Sequence, residues 1–132
     1  MRTKISFILQ IMVAVIYLQT LYFKFSAHPD SVYIFSKLGL EPYGRIGLGI
    51  LECIVALTIV IPSLKIYSSL LSVAIIVGAI ASHLGPLGIE INQDGGKVFY
   101  LAVLVFGGSA AIVLLNKDEL FKFSRTIKHI FN

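Results

Sequence analysis

The chain has 132 residues, of which 57% are hydrophobic and 14% are charged, with a formal net charge of +4. Soluble domains carry about 25% charged residues, so this composition excludes an ordinary soluble enzyme and predicts one membrane domain over residues 1–132. The basic residues form no patch interleaved with aromatic side chains, so we expect no nucleic-acid partner.

Four apolar segments fill most of the chain. With their flanking residues they cover approximately residues 5–25, 45–62, 66–84 and 97–115. About 20 helical residues cross a hydrocarbon core of about 30 Å, and continuous apolar runs exclude the alternating strands of a β-barrel. We predict an all-α membrane protein, an up-down bundle of four transmembrane helices. The first run is too long for a signal peptide, so we expect it to be retained.

Two further helices are predicted outside the spans. Pro29-Asp30-Ser31 is a helix-start signal and Gly39 a stop signal, which predicts a short amphipathic helix on the outer surface. The tail, residues 117–132, places Lys122, Arg125 and Lys128 away from an apolar face formed by Leu120, Phe123, Ile127 and Ile130. We expect this basic tail to lie on the anionic inner leaflet, with a docking helix for a protein partner as the alternative.

The orientation follows from the distribution of basic residues. Four spans place both termini on one side, and that side would hold seven of the 11 Lys and Arg residues. The positive-inside rule therefore predicts that both termini are cytoplasmic.

The outer helix ends carry the candidate ligand-binding site. Glu52 lies seven residues beyond Arg45 in the second span, at a depth where an ionisable group costs at least about 2.5 kcal/mol and normally faces protein or water. Arg45 lies two turns away on the same helix face. The helix ends and the loop above them complete the candidate set: Lys24, Arg45, Glu52, His83, Glu90 and Asp94.

Two interpretations of this cluster stay open. In the structural one, Arg45 or Lys24 neutralises Glu52 and holds the helix register, and His83 is a hydrogen-bonded helix-end residue. In the functional one, the cluster lines an outward-facing pocket for a polar or amphiphilic ligand. His83 and Glu52 would then be available as an acid–base pair. They lie on different helices, so the sequence does not give the distance between them.

A transporter is disfavoured, because we expect no polar route to continue inward from Glu52. Ala56 and Ile59, one and two turns deeper, should be dry and tightly packed.

Cys53 is the only cysteine, and no Cys/His spacing typical of a metal site occurs. We predict no catalytic residue and no metal ligand, and the sequence leaves both enzymatic activity and cofactor undecided.

Two loop motifs resemble the DoxX-like family of small bacterial integral membrane proteins. The first covers residues 24–32 and 35–47 and is followed by Glu52; the second covers residues 82–85, 87–90 and 94–96. The likeness extends over about residues 10–115. One departure is Tyr43, at a position where the family often has Trp.

The resemblance implies a four-helix protein of the bacterial inner membrane. Some relatives are tied to quinone-linked sulfur oxidation or to oxidative-stress complexes, and the family has no agreed catalytic set. We therefore expect a non-catalytic accessory or small-molecule- or lipid-binding component of a membrane complex. The alternative is the membrane subunit of a quinone-linked oxidoreductase. The expected partners are membrane lipid, a protein partner or a second copy of the chain, and a quinone or another amphiphilic small molecule.

Overall fold

The computed structural model describes residues 2–132, apart from the side chains of Arg2 and Phe123, and this part of the chain contains helices and turns but no strand. It forms six helices: α1 Arg2–Phe25, α2 Pro29–Lys37, α3 Tyr43–Thr58, α4 Lys65–Leu84, α5 Lys97–Leu115 and α6 Lys117–Phe131. The predicted all-helical class is confirmed. The predicted place of Phe123 on the apolar face of the tail lies outside the described residues.

Three helices are long and apolar enough to cross a membrane: Thr3–Phe25, Lys65–Leu84 and Lys97–Leu115. The remaining predicted span, residues 45–62, corresponds to α3, which has 16 residues and is therefore about 24 Å long. It ends before the predicted boundary because Pro62 lacks an N–H and disfavours helical backbone in the residue before it. Residues 59–64 form turns instead.

The apolar core lies where α1, α3, α4 and α5 pack together. Val13, Val55 and Ile112 are fully buried in it. Ala56 of α3 and Ile59, directly after its end, are 4% and 0% exposed, so the predicted burial of these two residues below Glu52 is confirmed.

Close packing of α1 against α5 depends on Gly108. A Cβ at this position would lie 2.7 Å from Met12 Cε and 3.0 Å from Val13 Cγ2, so a larger side chain would have to displace the Met12 and Val13 side chains of α1. A Cβ on Gly107 or Gly78 would meet no atom within 4 Å. Gly78 of α4 therefore faces outward rather than into the core.

Contacts between helix ends define two ends of the molecule. At the Asn116 end, Asn116 Nδ2 donates to Ser6 Oγ at 3.0 Å, and Lys65 Nζ lies 3.5 Å from Glu119 Oε1. At the opposite end, called the Lys24 end, the last turn of α1 contacts Arg45 and Glu52 of α3.

Candidate functional site

A buried ion pair joins α1 to α3. Lys24 Nζ lies 3.0 Å from Glu52 Oε2, and Thr20 Oγ1 donates to the same oxygen at 3.3 Å. Glu52 is only 5% exposed. A carboxylate at this depth persists only where an opposite charge and hydrogen bonds replace its hydration, and both come from α1.

Of the two basic residues expected to neutralise Glu52, Lys24 is its partner, and none of the described contacts joins Arg45 to Glu52. The Nε of Arg45 donates to Glu41 Oε1 and Oε2 at 2.9 and 3.0 Å, and its terminal nitrogen donates to the main-chain carbonyl of Lys24. The last carbonyls of a helix lack intrahelical partners, so the end of α1 attracts the guanidinium group. Arg45 thus closes the turn between α2 and α3 over the ion pair.

His83, at the end of α4, is buried and turned toward the following loop. Its Nδ1 lies 2.9 Å from the carbonyl oxygen of Gly88, and its ring meets the edge of Phe99 at a centroid distance of 5.6 Å. Among the described contacts, none joins His83 to Glu52. The structure therefore places His83 as a helix-end residue that holds the loop between α4 and α5.

Asp94 caps the start of α5. Its carboxylate accepts hydrogen bonds from the amides of Ile91, Gly96 and Val98 at 3.1, 2.8 and 3.1 Å. Burial opposes its ionisation, but these backbone donors, together with that of Lys97, outweigh burial and hold the pKa of Asp94 below its usual range.

Glu90 serves the same loop. Its Oε1 accepts the amide of Gly95 at 3.1 Å, on the exposed surface. The loop is also tied to α2, because Asn92 Nδ2 donates to Asp30 Oδ1 at 2.9 Å.

Of the six predicted site residues, the structure thus brings Lys24, Arg45 and Glu52 together, whereas His83, Glu90 and Asp94 organise the loop above them.

Polar side chains continue deeper than the sequence predicted. Tyr17 Oη lies 2.7 Å from Ser72 Oγ, and Ser72 Oγ lies 2.6 Å from Ser109 Oγ. Toward the Asn116 end, Gln10 Nε2 donates to the carbonyl of Ile59 at 2.6 Å. The expectation that no polar route continues inward from Glu52 considered charged residues and did not include these hydroxyl and amide groups within apolar runs.

Two surface hollows lie away from this cluster. One is lined by Thr3, Lys4, Phe7 and Ile8, and another by Arg125, Lys128, His129 and Asn132. Neither is lined by Glu52. Within residues 2–132, no three His, Cys, Asp or Glu side chains come together in a way that could hold a metal ion.

These features define an all-helical integral membrane protein, with six helices between residues 2 and 131, that has a charged pair and a chain of hydroxyl groups inside its core. A family model described as the DoxX-like family matches residues 8–107. The chain therefore belongs to the DoxX-like family, as the loop motifs predicted. Comparisons with curated proteins and with solved structures found no match.

Proposed function

We propose that this DoxX-like protein is a non-catalytic component of a bacterial inner-membrane complex, and that it binds a lipid or another amphiphile at the Lys24 end. The observation that carries the proposal is that the charges there are already paired: Lys24 with Glu52, and Arg45 with Glu41. A neutral, fixed pair is suited to orienting a polar headgroup.

An apolar surface adjoins this pair. Phe25, Ile46 and Ile50 are 50%, 40% and 52% exposed, and the Phe25 ring is so close to Gly49 that a Cβ there would lie 2.9 Å from it. The Lys24 side chain keeps 14% of its surface accessible. A headgroup at Lys24 would therefore leave its hydrocarbon chain against α1 and α3.

We also infer that α3 is the fourth span of an up-down bundle, within a single membrane domain. Two contacts support this arrangement: the start of α1 bonds to the end of α5 through Ser6 and Asn116, and the end of α1 bonds to the start of α3 through Lys24 and Arg45. Neighbouring helices then run in opposite directions. With four spans, the basic residues favour cytoplasmic termini.

Cysteine labelling tests this topology. In a Cys53→Ala background, Ser36→Cys and Asn132→Cys are treated with a membrane-impermeant maleimide in intact cells. We expect position 36 to be labelled, and position 132 to be labelled only after the cells are permeabilised. Labelling of position 132 in intact cells would refute the proposed orientation.

Co-purification tests the binding proposal. The wild type is extracted in mild detergent beside a Lys24→Met/Glu52→Leu double variant, which replaces the ion pair by apolar groups that a protein interior tolerates. Bound molecules are identified by mass spectrometry, and Lys37→Ala is the matched surface control. We expect a lipid or amphiphile with the wild type and the control, and its loss from the double variant.

Two results would overturn the proposal. Equal amounts of the same lipid on all three proteins would show that the pair does not select a ligand. A bound quinone that is reduced and reoxidised in the purified complex would instead indicate the membrane subunit of an oxidoreductase.

A further inference from the structure

The helix α6 leaves the core immediately after a membrane-crossing helix ends. Only Asn116 separates Leu115, the last residue of α5, from Lys117, the first of α6. The Asn116 side chain donates to Ser6 Oγ and to the carbonyl of Ile112 at 2.8 Å. This joint is held at the edge of the packed helices, so α6 begins at the level where the apolar spans end.

Most of the apolar face of α6 is left uncovered by the part of the chain that the structure describes. Ile127, Ile130 and Phe131 are 37%, 70% and 82% exposed. With 100° per residue, these three and Leu120 fall on one side of the helix. An amphipathic helix this close to the bilayer lowers its free energy by placing that face at the boundary between headgroups and acyl chains.

The charges of α6 indicate the chemistry of the surface that covers it. The helix carries four Lys and Arg residues against two acids. One of those acids, Glu119, is already paired with Lys65 of α4 at 3.5 Å. The excess is therefore positive, and it lies beside the exposed apolar face, as in helices that bind anionic membrane surfaces.

We propose that α6 lies flat on the membrane surface and binds anionic lipid headgroups, with Asn116 as a fixed corner between span and surface helix. The Lys65–Glu119 pair holds the first turn against α4. Lys117 and Lys128 flank the apolar face and reach the headgroups, while Arg125 points toward water. The inference rests on the membrane position of α5 and is independent of ligand binding at the Lys24 end.

Nanodiscs of defined lipid composition test it on the full chain. In a Cys53→Ala background, an environment-sensitive fluorophore is attached at Ile130→Cys on the apolar face. The same fluorophore at Arg125→Cys is the matched control on the polar face. Quenching by brominated lipids is measured in discs of phosphatidylcholine alone and of phosphatidylcholine with phosphatidylglycerol. Both leaflets of a disc are alike, so the result does not depend on the topology in cells.

We expect strong quenching at position 130 and weak quenching at 125 in the anionic discs. Each Lys near an anionic surface favours the bound state roughly fivefold, so Lys117→Glu/Lys128→Glu should reduce quenching at 130. Lys37→Glu, on α2, should leave it unchanged. Three results would overturn the proposal: a water-exposed label at 130 in anionic discs, equal quenching at both positions, or protection of 130 only when a co-purifying protein is present.

Discussion

Lys24, in the last turn of α1, is the counter-ion of Glu52 in the middle of α3, with 3.0 Å between Nζ and Oε2. The pair connects two helices that lie in different apolar segments of the chain. Because both partners are shielded from water, a shift of α3 along α1 would separate them. The ion pair therefore fixes the axial register between α1 and α3.

Removing the charge of Lys24 alone should destabilise the protein strongly. Lys24→Met leaves the Glu52 carboxylate buried without a counter-ion, and such a loss costs about 3–5 kcal/mol. We expect a large fall in the melting temperature of the detergent-solubilised protein, and recovery of most of it in Lys24→Met/Glu52→Leu. A Lys24→Met variant as stable as Lys37→Met would contradict the assignment of the pair.

Arg45 should be energetically coupled to Glu41 and not to Glu52. A double-mutant cycle of Arg45→Ala with Glu41→Ala should give a coupling of about 0.5–3 kcal/mol, as residues in direct contact do. The matched cycle of Arg45→Ala with Glu52→Gln should be closer to additive. Denaturant titration of the solubilised protein measures both cycles. A larger coupling of Arg45 to Glu52 than to Glu41 would show that Arg45, and not Lys24, is the counter-ion of Glu52.

The hydroxyl chain inside the core should contribute measurable stability. Ser72 contacts both Tyr17 and Ser109, so Ser72→Ala removes two hydrogen bonds. Hydrogen bonds between membrane helices average about 0.6 kcal/mol, with a maximum near 1.7. We expect Ser72→Ala to lower stability more than Tyr17→Phe, and Ser36→Ala, on the exposed face of α2, to change little. Equal melting temperatures for all three variants would show that the hydrogen bonds of Ser72 do not contribute to stability.

Adjacent glycines of α5 should respond differently to the same substitution. Gly108→Leu would drive a side chain into Met12 and Val13, and overpacking of this kind costs about 1–3 kcal/mol. Gly107→Leu points into open space and should be tolerated. The comparison of melting temperatures is internally controlled, because both variants add the same apolar group to the same helix. A destabilised Gly107→Leu variant together with an unaffected Gly108→Leu variant would show that Gly107, and not Gly108, faces α1.

The cap at Asp94 should make the loop between α4 and α5 sensitive to acid. Its pKa is lower in the folded protein than the ordinary value of 3.8, so the carboxylate stabilises the fold above that value. This stabilisation is lost as the pH falls through the lower folded pKa. We expect Asp94→Asn to melt below the wild type at pH 6, with the gap narrowing near pH 3. A gap that does not change with pH would assign the effect to packing.

The sequence alone predicted the helical class, the positions of most helices and the family of the chain. Long apolar runs predicted α1, α4 and α5 almost to the residue, since backbone groups in lipid must bond within their own segment. Proline and glycine signals placed α2 correctly. The loop motifs identified the DoxX-like family before any fold was known. These features are local: each depends on residues that are close together in the sequence.

Which side chains meet between helices was decided only by the tertiary structure. Periodicity showed that Arg45 and Glu52 share a face of α3, but the partner of Glu52 came from α1. The hydrogen-bonded hydroxyl groups of Tyr17, Ser72 and Ser109 likewise join three helices. In the sequence, each of these residues is simply a polar residue within an apolar run. Such contacts depend on the rotation and axial offset of each helix against its neighbours. Those two quantities are set by packing at positions such as Gly108, and the pattern within a single helix does not contain them.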